Sequence, residues 1–135
     1  MVQHESNLEI VFVGWVDAIR RRDIETVAGH LAPDVVWQGV TPDLVCPDRD
    51  AVLEVLRGPA PDPSAVEAFE LIAADDHVVV GVRHPELPEL DGVDIGGQIF
   101  NVFRLRDGRI VHIQDYARRE DALVAAGAEE RGHWQ

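Results

Sequence analysis

The sequence predicts an α+β fold: a mainly antiparallel sheet covered on one face by helices that precede it in the chain. Three observations carry this. Apolar residues recur at helical spacing through the first half, at Leu8, Val11, Phe12, Trp15, Val16 and Ile19 and again at Val52, Leu53 and Leu56. From residue 66 onward, long stretches of period-two alternation take over. Asp107-Gly108 then separates two such stretches as a two-residue hairpin turn. Helices grouped before strands, rather than alternating with them, favour an antiparallel sheet with one covered face. The 135 residues suit one domain spanning 1–135. A domain near this size buries roughly 68% of its unfolded surface, enough for a core and an internal site.

The elements follow in order. In the first helix, Ser6 or Asn7 is the expected cap, Glu9 lies in the first turn, and Arg20, Arg21 and Arg22 sit at the C-terminal end, where the helix dipole favours positive charge. Asp23 caps a second helix over 24–30, which Pro33 stops. Val35, Val36 and Trp37 form a short β-like run, and 41–48 reads as a loop. Asp48 caps a third helix that Gly58 closes, and 59–63 is a stiff connector. Strands are expected at 66–73, 77–83, 98–106 and 109–117, with Asp75-Asp76 turning between the first two and a loop over 85–94. Asp94-Ile95-Gly96-Gly97 reads as a strand entry or bulge, without phosphate-loop spacing. A last helix over 120–126 ends at Gly127.

Composition removes several chemistries. All 12 basic residues are arginine, so no lysine can form a Schiff base or serve a P-loop. Two serines, two threonines and one cysteine leave little room for a hydroxyl or thiol nucleophile, and neither serine sits in a G-x-S-x-G elbow. The single Cys46 excludes an internal disulfide and a multi-thiolate zinc site, and the histidines show no metal-ligand spacing, so no metal and no cofactor are expected. A net charge of -13 argues against nucleic acid and anionic membrane. No apolar run approaches a membrane span and no signal peptide is visible, so the expected location is cytoplasmic.

Strand alternation then assigns faces. Val111, Ile113 and Asp115 share one face of the last strand, and Ile99, Asn101, Phe103 and Leu105 share one face of the strand before it. These apolar sets are expected to face the helices. Val79, Gly81 and Arg83 are placed with them by register. That brings Asp115, Asn101 and Arg83 onto the covered face, where charged groups need partners. Two readings stand side by side: a structural ion pair of Asp115 with Arg83, or a polar patch at the base of an apolar pocket. Trp15, Trp37, Phe103, Ile113 and Val79 would form the wall. His84 is expected at a strand end pointing away, and His112 on the opposite face from Asp115. Phe100, Val102 and Tyr116 on the outer face form a surface that a partner would bury.

The segments Trp15-Val16-Asp17-Ala18-Ile19, Asp23-Ile24-Glu25 and 31–37 resemble the opening of the nuclear-transport-factor-2-like superfamily. Arg49-Asp50-Ala51-Val52 resembles its third helix, and 103–111 with Gln114-Asp115-Tyr116 resembles the final hairpin of its SnoaL-like branch. The resemblance implies a cone-shaped sheet that three N-terminal helices close into a pocket, and a homodimer through the outer sheet face. Its members include ketosteroid isomerases, SnoaL-type polyketide cyclases and limonene-epoxide hydrolases, besides binding and assembly modules. Position by position, the isomerase base corresponds to Gly39, its oxyanion tyrosine to Trp15 and its oxyanion aspartic acid to Asn101. In the epoxide-hydrolase pattern the water-holding aspartate corresponds to Asp115 and the bridging arginine to Arg83. Its second acid falls on Pro85, and its tyrosine and asparagine on Trp37 and Gly39. In the cyclase pattern Asp115 takes the acid–base role.

The expected function is therefore that of a small-molecule pocket protein. Asp115, positioned by Arg83 and Asn101, would act as base or water-orienting acid on a small hydrophobic carbonyl- or epoxide-containing molecule. A non-catalytic ligand-binding module and a dimeric assembly module on the same fold stand as alternatives.

Overall fold

A computed structural model describes residues 3–41, 45–58, 68–74, 76–83, 89–90, 93–94 and 96–127. The connector at 59–63, Asp75, His84, Pro85 and Ile95 lie outside the described residues. The first helical stripe buries Val11, Trp15 and Ala18, one to two turns apart. Its backbone is not one continuous α-helix. Helix α1 (Gln3–Val11) runs into a π-helical turn, Phe12–Val16, and then into a short α2 (Asp17–Arg20). The helix thus begins ahead of the expected caps, and Asn7 is buried within α1 rather than exposed at its start. Asp17 receives Arg20 and Arg21 at the end of this arm.

Asp23 caps α3 (Ile24–His30) as expected, accepting from the Thr26 amide at 3.3 Å and the Thr26 hydroxyl at 2.7 Å. Asp48 does the same for α4 (Arg49–Arg57), accepting from the Ala51 amide at 2.9 Å. Asp48→Ala is expected to cost about 1 kcal/mol, read as a lower urea midpoint with unchanged slope.

Six strands form one curved, unclosed sheet in the order β2-β1-β8-β7-β4-β3, comprising β1 (Leu31–Gln38), β2 (Val45–Cys46), β3 (Ala68–Ala74), β4 (His77–Arg83), β7 (Gln98–Arg106) and β8 (Arg109–Tyr116). All neighbours are antiparallel except β1 and β8. β5 (Glu89–Leu90) and β6 (Val93–Asp94) make a separate two-stranded ladder within the expected loop. β1 begins earlier than the run 35–37. Its pairing jumps from Leu31↔Ile110 to Val36↔His112, so Pro33 falls in the irregular stretch, where no ladder donor is missed. The β7–β8 turn is as expected, with positive φ at both Asp107 (53°) and Gly108 (78°).

Register corrects three expectations about faces. Pairing along β7–β8 shifts between Arg104↔His112 and Leu105↔Ile110, which makes Val111 the additional residue of a bulge. Ile110, fully buried, takes the inward place assigned to Val111. On β4, Val80 pairs with Asn101 and Val78 with Phe103, so the even-numbered valines face the helices. Val79, Gly81 and Arg83 therefore lie on the opposite face, one residue out of the register expected for Val79 and Arg83. Finally, the outer-face residues Phe100 and Val102 are not open to a partner. They are buried with Val79 against Ala122, Leu123 and Ala126 of α5 (Arg119–Ala126), the helix that ends at Gly127. Arg119 fastens α5 to Glu70 of β3 at 2.7 Å. The surface that motivated a homodimer is occupied by the chain's own last helix.

The larger core lies between the other face and the N-terminal helices, built on Val11, Trp15, Val27, Leu31, Val35, Val78, Val80, Phe103, Ile110 and Ile113. Among the described residues, no helix is long and apolar enough to cross a membrane.

Candidate functional site

Cross-strand register builds the site in rows. Trp37 of β1, Ile113 of β8, Phe103 of β7 and Val78 of β4 are successive partners and form one apolar row on the helix-facing side. The next row, two residues along, holds Asp115 of β8, Asn101 of β7 and Val80 of β4. Trp15 descends onto the first row from the π-helical turn. It meets Trp37 edge-on at 5.2 Å between ring centroids and Phe103 at 5.3 Å.

Among the described residues, Asp115 is the buried charged residue, at 7% exposure. A carboxylate removed from water must be hydrogen-bonded. Its Oδ1 accepts from the indole Nε1–H of Trp37 at 2.9 Å and from Nδ2–H of Asn101 at 2.6 Å. Both donors are neutral. Trp can only donate, so its orientation is unambiguous, and the short Asn101 contact fixes the amide with its nitrogen toward the acid. One oxygen of the carboxylate is thus held by two side chains from two different strands. The arrangement gives a carboxyl group of defined direction beside an apolar, aromatic wall, which is what proton abstraction or water orientation requires.

The structure brings together Asp115, Asn101, Trp15, Trp37, Phe103 and Ile113. It does not place Arg83 or Val79 with them. Both lie on the other face of β4, Arg83 opposite Gln98 at the strand end and Val79 beneath α5. Two features escape a sequence reading. Trp37, expected as a core aromatic and a wall residue with one donor to place, is a hydrogen-bond donor to the acid; a tryptophan in a strand carries no signal of what its N–H meets. Cys46 reaches the site because β2 pairs it with Trp37, in a stretch that reads as loop. Burial pushes its thiol up, with Asp115 and Asp48 adding to the effect, so Cys46 is a neutral neighbour of the acid and not a thiolate nucleophile. Among the described residues no group of three or more His, Cys, Asp or Glu could hold a metal ion.

The model of the SnoaL-like domain matches residues 12–113. The chain belongs to the SnoaL-like family. No curated protein matches it in sequence. Solved structures similar to this SnoaL-like chain include a candidate ketosteroid isomerase from Kribbella flavida DSM 17836, with 18% identity over 85% of this chain and 79% of that one, at a TM-score of 0.66. A candidate polyketide cyclase from Xanthomonas campestris pv. campestris is 16% identical over 93% and 99% of the two chains, at 0.62. A nuclear-transport-factor-2-like protein of unknown function from Burkholderia xenovorans LB400 is 13% identical over 83% and 82%, at 0.64. At such identities the likeness establishes the nuclear-transport-factor-2-like fold and leaves the chemistry of the SnoaL-like chain to its own side chains.

Proposed function

We propose that this protein is a small-molecule acid–base enzyme in which Asp115 accepts a proton next to a carbonyl, or orients a water for attack, while Trp37 and Asn101 hold the carboxylate in place. The observation that carries the reading is the double donation to one oxygen of a buried acid beside the Trp15–Trp37–Phe103 cluster. Any buried carboxylate needs donors; what favours an acid–base role is that a carboxylate stands at all beside an aromatic wall, where an apolar residue would avoid its desolvation. Arg83, on the opposite face of β4, has no part in the proposed set. The substrate class is small and largely apolar, with a carbonyl or an epoxide as its polar group. The names carried by the Kribbella and Xanthomonas structures agree with enolisation or ring-closing chemistry of that kind.

The test needs no knowledge of the natural substrate. Proton abstraction beside a carbonyl exchanges that proton for deuterium in D2O, which NMR detects in a panel of cyclic enones and β-diketones. Wild type is expected to exchange at least one member above the buffer rate, and Asp115→Asn to lose about 10²–10⁴ of that acceleration. A panel member that binds, as seen by chemical-shift perturbation, but exchanges equally fast with both proteins assigns the site to ligand binding without catalysis.

A further inference from the structure

We propose that the outer face of the sheet carries a second site, for a phosphate-type oxyanion, formed by His77, Arg104 and His112 on three adjacent strands. His77 of β4 pairs with Arg104 of β7, and Arg104 pairs with His112 of β8. Directly paired residues share a face, and neighbouring strands lie about 4.8 Å apart. The three side chains therefore leave the same face within a span of about 10 Å. This row is one step beyond Val79 and Val102, the last row that α5 covers.

The local chemistry fits an anion with several oxygens. Asp76 accepts from His77 Nδ1 at 2.7 Å and lies 3.5 Å from Arg104 Nε. Those contacts occupy one nitrogen of each partner and fix the direction of both. They leave His77 Nε2 and the terminal guanidinium nitrogens, the fork that matches phosphate oxygens, outside the Asp76 pair. Asp76 neutralises one positive charge; Arg106 and Arg109, paired and exposed at the end of the same hairpin, add two. These three arginines gather near one end of the hairpin, with Asp107 in its turn, in a chain of net charge -13. Burial, then Arg104 and His77, push the His112 ring below the usual histidine range, so protonating it there is unfavourable. A bound dianion would offset the two repulsive contributions and draw the ring back up. A carboxylate ligand would engage the arginine fork alone, whereas a tetrahedral oxyanion presents three oxygens to three donors.

The experiment is a histidine NMR titration of the whole chain in chloride and in inorganic phosphate at matched ionic strength. Phosphate is expected to raise the His112 midpoint by about half a pH unit or more. Burial, with Arg104 and His77 adding to it, disfavours protonation of His112 in the folded chain. Stability contributed by its neutral form is therefore present above the unfolded histidine value and lost as pH falls below it, and phosphate bound to the folded chain should raise Tm at about pH 6.5, the ordinary histidine value. Arg104→Gln removes a repulsive neighbour and should raise the His112 midpoint in chloride while abolishing most of the phosphate response. Arg104→Lys keeps the charge and should retain part of it. Phenyl phosphate in place of inorganic phosphate separates a monoester site from one for the free ion: either response supports the site. Equal His112 midpoints in phosphate and chloride, or a phosphate shift that survives Arg104→Gln, would overturn it.

Discussion

Asp115→Ala is expected to destabilise the fold by about 3 kcal/mol, and Asp115→Asn by no more than about 1 kcal/mol. The difference follows from where the hydrogen bonds go. Alanine removes the oxygen that accepts from Trp37 Nε1 and Asn101 Nδ2, and two part-buried N–H donors are left facing a small void. Each orphaned donor costs about 1–3 kcal/mol, partly relieved if a water enters. Asparagine keeps one oxygen in nearly the same place, so both donors retain an acceptor while the acid–base capacity is gone. Stability and catalysis are thereby separable at one position. Trp37→Phe provides the control. It removes one donor, so in the Asp115→Ala background it should cost less than in wild type, because there it deletes a group already without its acceptor. A double-mutant cycle from urea melts measures this coupling directly. Additive losses would mean that the 2.9 Å contact carries no energy of its own.

That coupling was only half legible in the sequence, and the reason is physical. Period-two alternation put Asp115, Asn101, Phe103 and Ile113 on one face correctly, because each strand has an unambiguous apolar set and a tight Asp107-Gly108 turn to lock the two together. β4 has no such set. His77-Val78-Val79-Val80-Gly81-Val82-Arg83 is apolar on both faces because both are covered, one by the N-terminal helices and one by α5. Alternation carries no information in a strand buried twice, so the sides of Arg83 and Val79 are set by the cross-strand register alone, opposite to the expected one. The Val111 bulge defeats the method in another way: one inserted residue reverses the parity of everything beyond it. Helix caps were legible at Asp23 and Asp48 because the signal is a single side chain acting within three residues. The π-helical turn carries no comparable local signature, and its role shows only in what packs against it.

That turn is the basis of the other large expected effect. Gly14→Ala in a helical setting would ordinarily gain up to about 1 kcal/mol, since glycine is the more costly residue to order. Here it is expected to cost about 2 kcal/mol instead. A Cβ on residue 14 would lie 2.4 Å from His30 Cγ, 2.7 Å from its Nδ1 and 2.8 Å from its Cβ. Rotating the imidazole away cannot relieve the last of these, because that atom is fixed to the α3 backbone. Rotation would also break the bond that His30 Nδ1 donates to the Thr26 carbonyl at 2.8 Å. The backbone of the Phe12–Val16 turn must therefore move off α3, and Trp15 is the next residue in it. Trp15 sets the distance to Trp37, whose N–H holds Asp115, so the displacement is passed to the candidate site through one ring contact and one hydrogen bond. The expected signature is a loss of aromatic near-UV dichroism together with a lower urea midpoint. His30→Gly deletes all three crowding atoms, and in that background Gly14→Ala should turn stabilising by a few tenths to about 1 kcal/mol. A penalty of equal size in both backgrounds would exclude the crowding of His30 as its cause. A reversal of sign would show that the close approach of α3 to the π-helical turn, available only to glycine, sets the seat of Trp15.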